Sequence, residues 1–178
     1  VSLRARKAMR NVHFWSWGYG YLYKVVTRLA IDGKAQSDDE VVTTTGFRKT
    51  KFGEGKIWLN DRVMMMHGYA QRTSNEWPAV GIDIPAWLSD YSNDLMVKSG
   101  GNLVRWMHVT PSKQDVESCD RVGLIQAMPA GDAEKDVVGR HWTQRTELMR
   151  DAIIYNRNNP SILFYEGGNE SISREHMK

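Results

Sequence analysis

Cys119 is the only cysteine in the 178 residues, so the chain can form no internal disulfide and no thiolate metal site. Its surroundings read as helical, which favours a small buried thiol over a nucleophile, because no activating base is apparent nearby. Long apolar runs are missing too. Nothing approaches the roughly 18 residues of a membrane span, and no basic n-region with an apolar h-region opens the chain, so no membrane partner is expected and the compartment stays open. Runs of like charge are absent as well. The net charge of +3, from 24 basic and 21 acidic residues scattered along the chain, is too small to imply a nucleic-acid partner. The histidines lack ligand spacing, so neither a tightly bound metal nor a cofactor is expected.

Aromatic residues, by contrast, are plentiful. Seven Trp and seven Tyr, several beside polar groups, suit stacking on the C–H faces of sugar rings, although a large core residue is an equally good use of Trp. With 41% hydrophobic and 25% charged residues, the composition is that of a globular chain.

Hydrophobic periodicity divides the chain into two regimes. Residues 20–31 alternate as a half-buried strand does, Asp32-Gly33-Lys34 supplies a turn, and Glu40 to Arg48 reads as a β-branched return strand, together the tail of an antiparallel sandwich. Ile57-Trp58-Leu59 and Val63-Met64-Met65-Met66 flank a tight Asn60-Asp61 turn, which predicts a small hairpin. From there strands and helices alternate. Strands are predicted at 64–69, 103–109, 124–128 and 162–165, with helices at 86–99, 112–121 and 140–156. In the last helix Leu148, Ala152 and Tyr155, with Met149 and Ile153 beside them, mark the expected buried face. Gly100-Gly101 and Gly123 punctuate helix ends.

Strands alternating with helices in this way imply parallel βα units. A doubly wound dinucleotide fold would carry a glycine-rich phosphate turn after its first strand, and His67-Gly68-Tyr69-Ala70 is not one. The remaining option is the first half of an eight-stranded barrel. A whole barrel needs about 250 residues, and less than half of that follows the hairpin. The chain is therefore expected to be part of a longer one, prone to associate through open strand edges when expressed alone.

The most specific segment runs from Asn156 to Glu170, Asn-Arg-Asn-Asn-Pro-Ser-Ile-Leu-Phe-Tyr-Glu-Gly-Gly-Asn-Glu. A polar loop leads into a short apolar strand that ends in two glycines, an amide and a carboxylate. In barrels, groups at the C-terminal ends of strands line the active site. This segment resembles the acid/base signature of glycoside hydrolase family 2, the β-galactosidase family, in which Arg-Asn-His-Pro-Ser-Ile leads to a Gly-Asn-Glu ending the fourth barrel strand. Further likenesses follow the same order along the chain. Phe14-Trp15-Ser16 with Tyr21-Leu22-Tyr23 is similar to a strand of the family's immunoglobulin-like domain. Gly46-Phe47-Arg48 and Trp58-Leu59-Asn60 are similar to its entry into the barrel. Asn102-Leu103-Val104-Arg105-Trp106-Met107-His108 matches its Asn-x-x-Arg-x-x-His second strand, and Cys119 to Leu124 the approach to its third.

The resemblance implies an α/β architecture: the C-terminal part of an immunoglobulin-like β-sandwich over residues 1–50, then the first four strands of a (β/α)8 TIM barrel over residues 51–178. It implies a retaining O-glycosyl hydrolase that cleaves terminal β-glycosides, β-galactosides foremost, by double displacement on a carbohydrate substrate. Glu170 is then the catalytic acid/base, and a second Glu, later in the family's chains, attacks the anomeric carbon, the two carboxyl groups lying about 5–5.5 Å apart. Because that nucleophile is not among these residues, the fragment itself is expected to be inactive. The resemblance further gives Asn169 to the sugar 2-hydroxyl, Arg105 to orienting carboxylates and His108 to the sugar pocket. Without it, a loop amide, a salt-bridge arginine and a structural histidine would be the plainer readings.

Glu166 lies four residues before Glu170, but Gly167-Gly168 interrupts the strand between them, which favours a supporting role. His141, Asp132 and Glu134 fall after the third strand with no assigned task. Three departures from the family pattern stand out. Asn159 replaces the usual His in the loop. Ala127-Met128-Pro129 stands where many members carry an acidic residue, and Gln71-Arg72 where a polar Asn or His is common. The latter two leave sugar specificity open, so β-glucuronidase and β-mannosidase are the alternatives within the family. A non-catalytic carbohydrate-binding or scaffold chain is the alternative outside it. Self-association into a homo-oligomer is also left open.

Overall fold

The computed structural model describes residues 4–31, 39–72, 79, 84–129 and 134–178. The Asp32-Gly33-Lys34 turn and Asp132 lie outside the described residues. Strands β1 (Tyr23–Leu29) and β2 (Asp39–Thr45) form an antiparallel ribbon, with Tyr23 opposite Thr45 and Leu29 opposite Asp39. The half-buried alternation expected of β1 is not realised. Val25, Val26, Val41 and Val42 are all exposed, because among the described residues each strand pairs only with the other. A two-stranded ribbon does not show a sandwich.

Strands β3 (Thr50–Gly53), β4 (Lys56–Leu59) and β5 (Arg62–Met64) make a meander of one strand more than the predicted hairpin. Its two-residue turns place Glu54, Gly55, Asn60 and Asp61 at positive φ, the geometry whose twist matches that of the flanking strands. Asn60 adds a second task there. Its amide donates to the Trp15 carbonyl at 2.9 Å while its Oδ1 accepts from the Lys49 N–H at 3.0 Å.

The third sheet is parallel throughout, in the order β6 (Gly68–Gln71), β7 (Leu103–Trp106), β8 (Ile125–Pro129) and β9 (Ile162–Glu166). Helices α1 (Ala86–Lys98), α2 (Lys113–Val122) and α3 (Arg140–Asn156) connect successive strands. The first strand begins later than the expected 64–69, because Met64 completes the meander and Met65 is exposed. Gly68 is required where β6 opens, since a Cβ there would sit 2.1 Å from the Leu103 carbonyl oxygen. Asn102 stitches the same two strands, accepting from the His67 N–H at 2.8 Å and donating to the Met65 carbonyl at 2.7 Å.

Local chemistry sets the helix limits. The Ser112 hydroxyl caps the start of α2 by accepting from the Asp115 N–H, and Gly123 ends it in the left-handed conformation at φ 76°. Helix α3 corrects one expectation in part. Its inward residues are Trp142, Arg145, Met149, Ala152 and Asn156, so Met149 and Ala152 face inward as expected, whereas Leu148, Ile153 and Tyr155 are exposed. The inward stripe keeps helical spacing but includes Arg145 and Asn156, whose polar ends are satisfied internally. Arg145 donates to the Lys135 carbonyl at 2.6 Å, and the Asn156 amide to the Ala152 carbonyl at 3.1 Å.

Packing separates the two ends of the parallel sheet. Trp15, Leu59, Met64 and Ile125 form one buried cluster, with Leu103 and Phe164 packed against it. Because Leu103 and Ile125 are the first residues of their strands, the meander covers the N-terminal end. Val104, Trp106, Cys119 and Leu124 form a second cluster between sheet and helices, and burial pushes the Cys119 thiol well above its ordinary value, leaving it unreactive.

Asp120 ties α2 to the start of β9. It is 4% exposed and accepts from the Ser161 N–H at 3.0 Å, from the Ser161 hydroxyl and from the Asn159 amide. Burial raises the Asp120 carboxyl pKa, while the Ser161 and Asn159 bonds act in the opposite direction. Replacing Asp120 by Ala strands three donors in the interior. The expected cost is about 2–4 kcal/mol, with Asp120→Asn losing less because it keeps one acceptor. Urea denaturation of the full-length protein followed by circular dichroism checks this, and an Ala variant as stable as wild type would contradict it.

Candidate active site

Alternation along β7 sends Val104 and Trp106 into the helix-facing cluster, so Leu103 and Arg105 face the other side of the sheet. Register carries that division across the strands. Val104 pairs with Gln126 and Gln126 with Ile162 on the helix side, while Arg105 pairs with Ala127 and Ala127 with Phe164 on the inner side. Between Ile162 and Phe164 the strand holds one more residue than β8 does, a bulge at Leu163. Such an insertion inverts the facing of everything after it. Glu166 is thereby turned to the inner side, toward Arg105.

The two side chains meet as a fork. Arg105 Nε donates to Glu166 Oε1 at 2.7 Å and Nη2 to Oε2 at 2.9 Å, while Nη2 also donates to Asn169 Oδ1 at 3.0 Å. Glu166 retains 16% side-chain exposure and Arg105 34%. A guanidinium can only donate, so the Asn169 carbonyl oxygen must face it, which leaves the Asn169 Nδ2 hydrogens for another acceptor.

His108 and Glu170 are joined through one residue. His108 Nε2 lies 3.4 Å from Glu134 Oε2, and the Glu170 N–H donates to the Glu134 carbonyl at 2.8 Å. His108 Nδ1 is buried without a hydrogen-bond partner among the described residues. The Glu170 backbone bridges in parallel to Lys135, prolonging the β8–β9 pairing past the strand ends, and Glu170 itself is exposed.

The chain after Glu170 returns to the same loop. Asp136 accepts from the Ser173 N–H at 2.9 Å and from the Val137 N–H at 2.9 Å, and its Oδ1 lies 2.7 Å from His176 Nδ1. The His176 ring stacks on Trp142 with centroids 3.8 Å apart and planes at 8°. None of Asp136, Trp142 and His176 was singled out from the sequence. Asp136 and His176 lie 40 positions apart, and no spacing signals their meeting. Among the described residues, no group of three His, Cys, Asp or Glu side chains could hold a metal ion. His141 is exposed on the first turn of α3.

These features define a parallel βα-barrel segment with its N-terminal end covered and a carboxylate, amide, guanidinium and imidazole at the C-terminal strand ends. Residues 50–178 match the family described as Glycosyl hydrolases family 2, TIM barrel domain, and the chain belongs to that family. It is 34% identical over 171 residues to a β-glucuronidase of Formosa agariphila, covering 96% of this chain and 17% of that protein. It is 26% identical over 174 residues to a β-galactosidase of Psychromonas ingrahamii, covering 92% of this chain and 16% of that one. A solved family 2 β-glucuronidase superposes with TM-score 0.84 at 34% identity, over 94% of this chain and 18% of that one. The chain thus spans about a sixth of the length of these relatives.

The hydrogen bond to His176 is the main cause holding the Asp136 pKa at about 2. An unfolded Asp titrates near ~3.9, so the native state favours the charged form. Its contribution is fully present above pH ~5 and is lost as pH falls toward ~2. Unfolding of wild type and Asp136→Asn across that range should give a stability gap that closes on acidification; a gap independent of pH would refute the assignment.

Proposed function

We propose that this chain carries the acid/base half of a retaining β-glycosidase, with Glu170 as proton donor and acceptor. The observation that carries the reading is the end of β9. There, in a chain of family 2, an exposed Glu170 follows an Asn169 whose amide is oriented by Arg105. As the glycosidic bond breaks, the Glu170 carboxyl gives its proton to the departing oxygen. A second carboxylate, supplied from outside these residues, attacks the anomeric carbon. The Glu170 carboxylate then takes a proton from water, which displaces the enzyme from the sugar and restores the configuration.

Each neighbour has a task in this reading. Asn169 presents Nδ2 to the sugar 2-hydroxyl, a contact that strengthens as the ring flattens in the transition state. Arg105 holds that amide, and Glu166 holds Arg105. Both Glu166 oxygens accept from the guanidinium, which argues for support and against nucleophilic attack. His108 lines the pocket beside Glu134, its Nε2 3.4 Å from Glu134 Oε2. Residues 1–50 are read as the end of an immunoglobulin-like domain and residues 51–178 as the start of the barrel, by their likeness to the family pattern.

The relatives favour one sugar class over another. The 34% identity to the Formosa agariphila β-glucuronidase supports β-glucuronides as the first substrates to try, ahead of the β-galactosides that the sequence motifs suggested. Likeness to the Psychromonas ingrahamii β-galactosidase keeps the latter as the second class.

In the full-length protein, Glu170→Gln should lower kcat/KM on aryl β-glycosides with poor leaving groups by about 10²–10⁴-fold. Activated dinitrophenyl glycosides, which need little protonation, should lose far less. Equal losses on both would sink the acid assignment, and wild-type activity in the variant would favour a non-catalytic chain.

A further inference from the structure

The loop that carries Glu170 is anchored on both sides of the residue, and the anchors differ in kind. Upstream, Arg105 holds Glu166 and Asn169. Downstream, the contacts converge on one carboxylate. Asp136 Oδ2 accepts from the Ser173 N–H at 2.9 Å, three residues past Glu170, and Oδ1 pairs with His176 at 2.7 Å, six residues past it. His176 is in turn stacked on Trp142 in the first turn of α3, and its N–H lies 3.3 Å from the Ser173 hydroxyl. The loop bearing Asp136 is itself fixed to α3 by the bond from the largely buried Arg145 to the Lys135 carbonyl. Its Glu134 carbonyl receives the Glu170 N–H directly. Thus the backbone at Glu170 hangs between two fixed points on the loop after β8, one a peptide carbonyl and the other the Asp136 side chain.

We infer that Asp136 is a positioning residue for Glu170: by holding the Ser173 amide and His176 together, it fixes the backbone that aims the Glu170 carboxyl at the leaving oxygen. This rests on the reading of Glu170 as the acid/base. Asp136 does not touch the substrate; it acts through the segment from Glu170 to His176. The low pKa of Asp136 fits the role, since the carboxylate stays charged and able to hold both partners wherever a glycosidase works. A proton donor is sensitive to such support, because a misplacement of about 1 Å can cost on the order of 10²-fold in rate.

The test uses the full-length protein and reads kcat/KM, which reports the first bond-breaking step. Asp136→Ala should lower kcat/KM on poor-leaving-group aryl β-glycosides by about 10–100-fold, with KM little changed and activated aryl glycosides falling by less than about 3-fold. His176→Phe keeps the stack on Trp142 but removes the Nδ1 contact, and should show the same leaving-group selectivity to a smaller degree. Asp136→Asn should rescue part of the loss. Hydrogen exchange supplies a readout independent of turnover: in Asp136→Ala the amides from Glu170 to Met177 should exchange at least about 10-fold faster, with those of α3 unchanged. Losses equal on both leaving-group classes, or unchanged exchange in the 170–177 segment, overturn the proposal. Should wild type cleave no β-glycoside, the reading of Glu170 fails by itself, and the exchange experiment still decides whether Asp136 holds the segment.

Discussion

A guanidinium offers five N–H donors in a fixed plane and no acceptor, and the open end of the sheet is organised around that constraint at Arg105. Two of its donors take both oxygens of Glu166, and one also reaches the Asn169 carbonyl. The arrangement is possible only because the bulge at Leu163 turns Glu166 to the side on which Arg105 already lies. Were β9 to run through Leu163 with regular alternation, Glu166, four residues after Ile162, would face the helices with it, and Arg105 would bring an uncompensated charge to a partly buried site. Leaving one member of such a pair alone is costly, so the bulge and the ion pair stand or fall together.

Strand β9 is therefore fixed at both ends by polar groups, by different means. At its start the buried Asp120 gathers the Ser161 and Asn159 donors, and Arg48 donates to the Ile162 carbonyl at 2.6 Å. At its finish the anchor is the partly exposed fork at Arg105. The buried end favours stability and fixes the strand along its axis; the open end leaves groups within reach of a ligand. At the position where the family pattern has His, Asn159 supplies a donor to Asp120.

Much of the framework could be read from residue patterns. The order of strands and helices, the limits of α3 and the strand leading to Gly-Asn-Glu follow from periodicity, caps and one dense motif. What escaped did so for identifiable reasons. The inward face of α3 was read in part: Met149 and Ala152 do face inward, but Leu148, Ile153 and Tyr155 do not, because apolar spacing alone was followed, and Arg145 and Asn156 occupy core positions by satisfying their polar ends on nearby backbone. The bulge was invisible because Ile162 to Tyr165 reads as one apolar run in either facing. The Asp136–His176 contact links two loops with no shared periodicity. Several likenesses to the family proved to be structural on inspection. Asn60, Asn102 and Asp120 are spent on joining strands and turns, leaving Arg105, His108, Asn169 and Glu170 as the members near the mouth.

Two glutamates four residues apart invite the idea that they form a catalytic pair, and the geometry argues otherwise. A nucleophilic carboxylate must present a lone pair to carbon, whereas both oxygens of Glu166 are committed to a donor that has no alternative use for them. Moving Glu166 toward a sugar would break two charge-assisted bonds and release Arg105 from Asn169 as well. Among the described residues the Glu170 side chain carries no such commitment: it is exposed, and the contact that places it runs through its backbone to Glu134. The division of labour follows from that difference. In the proposed reading, Glu166 would act on a sugar only at second hand, by fixing the arginine that fixes the amide, while Glu170 would exchange a proton without disturbing the groups that aim it.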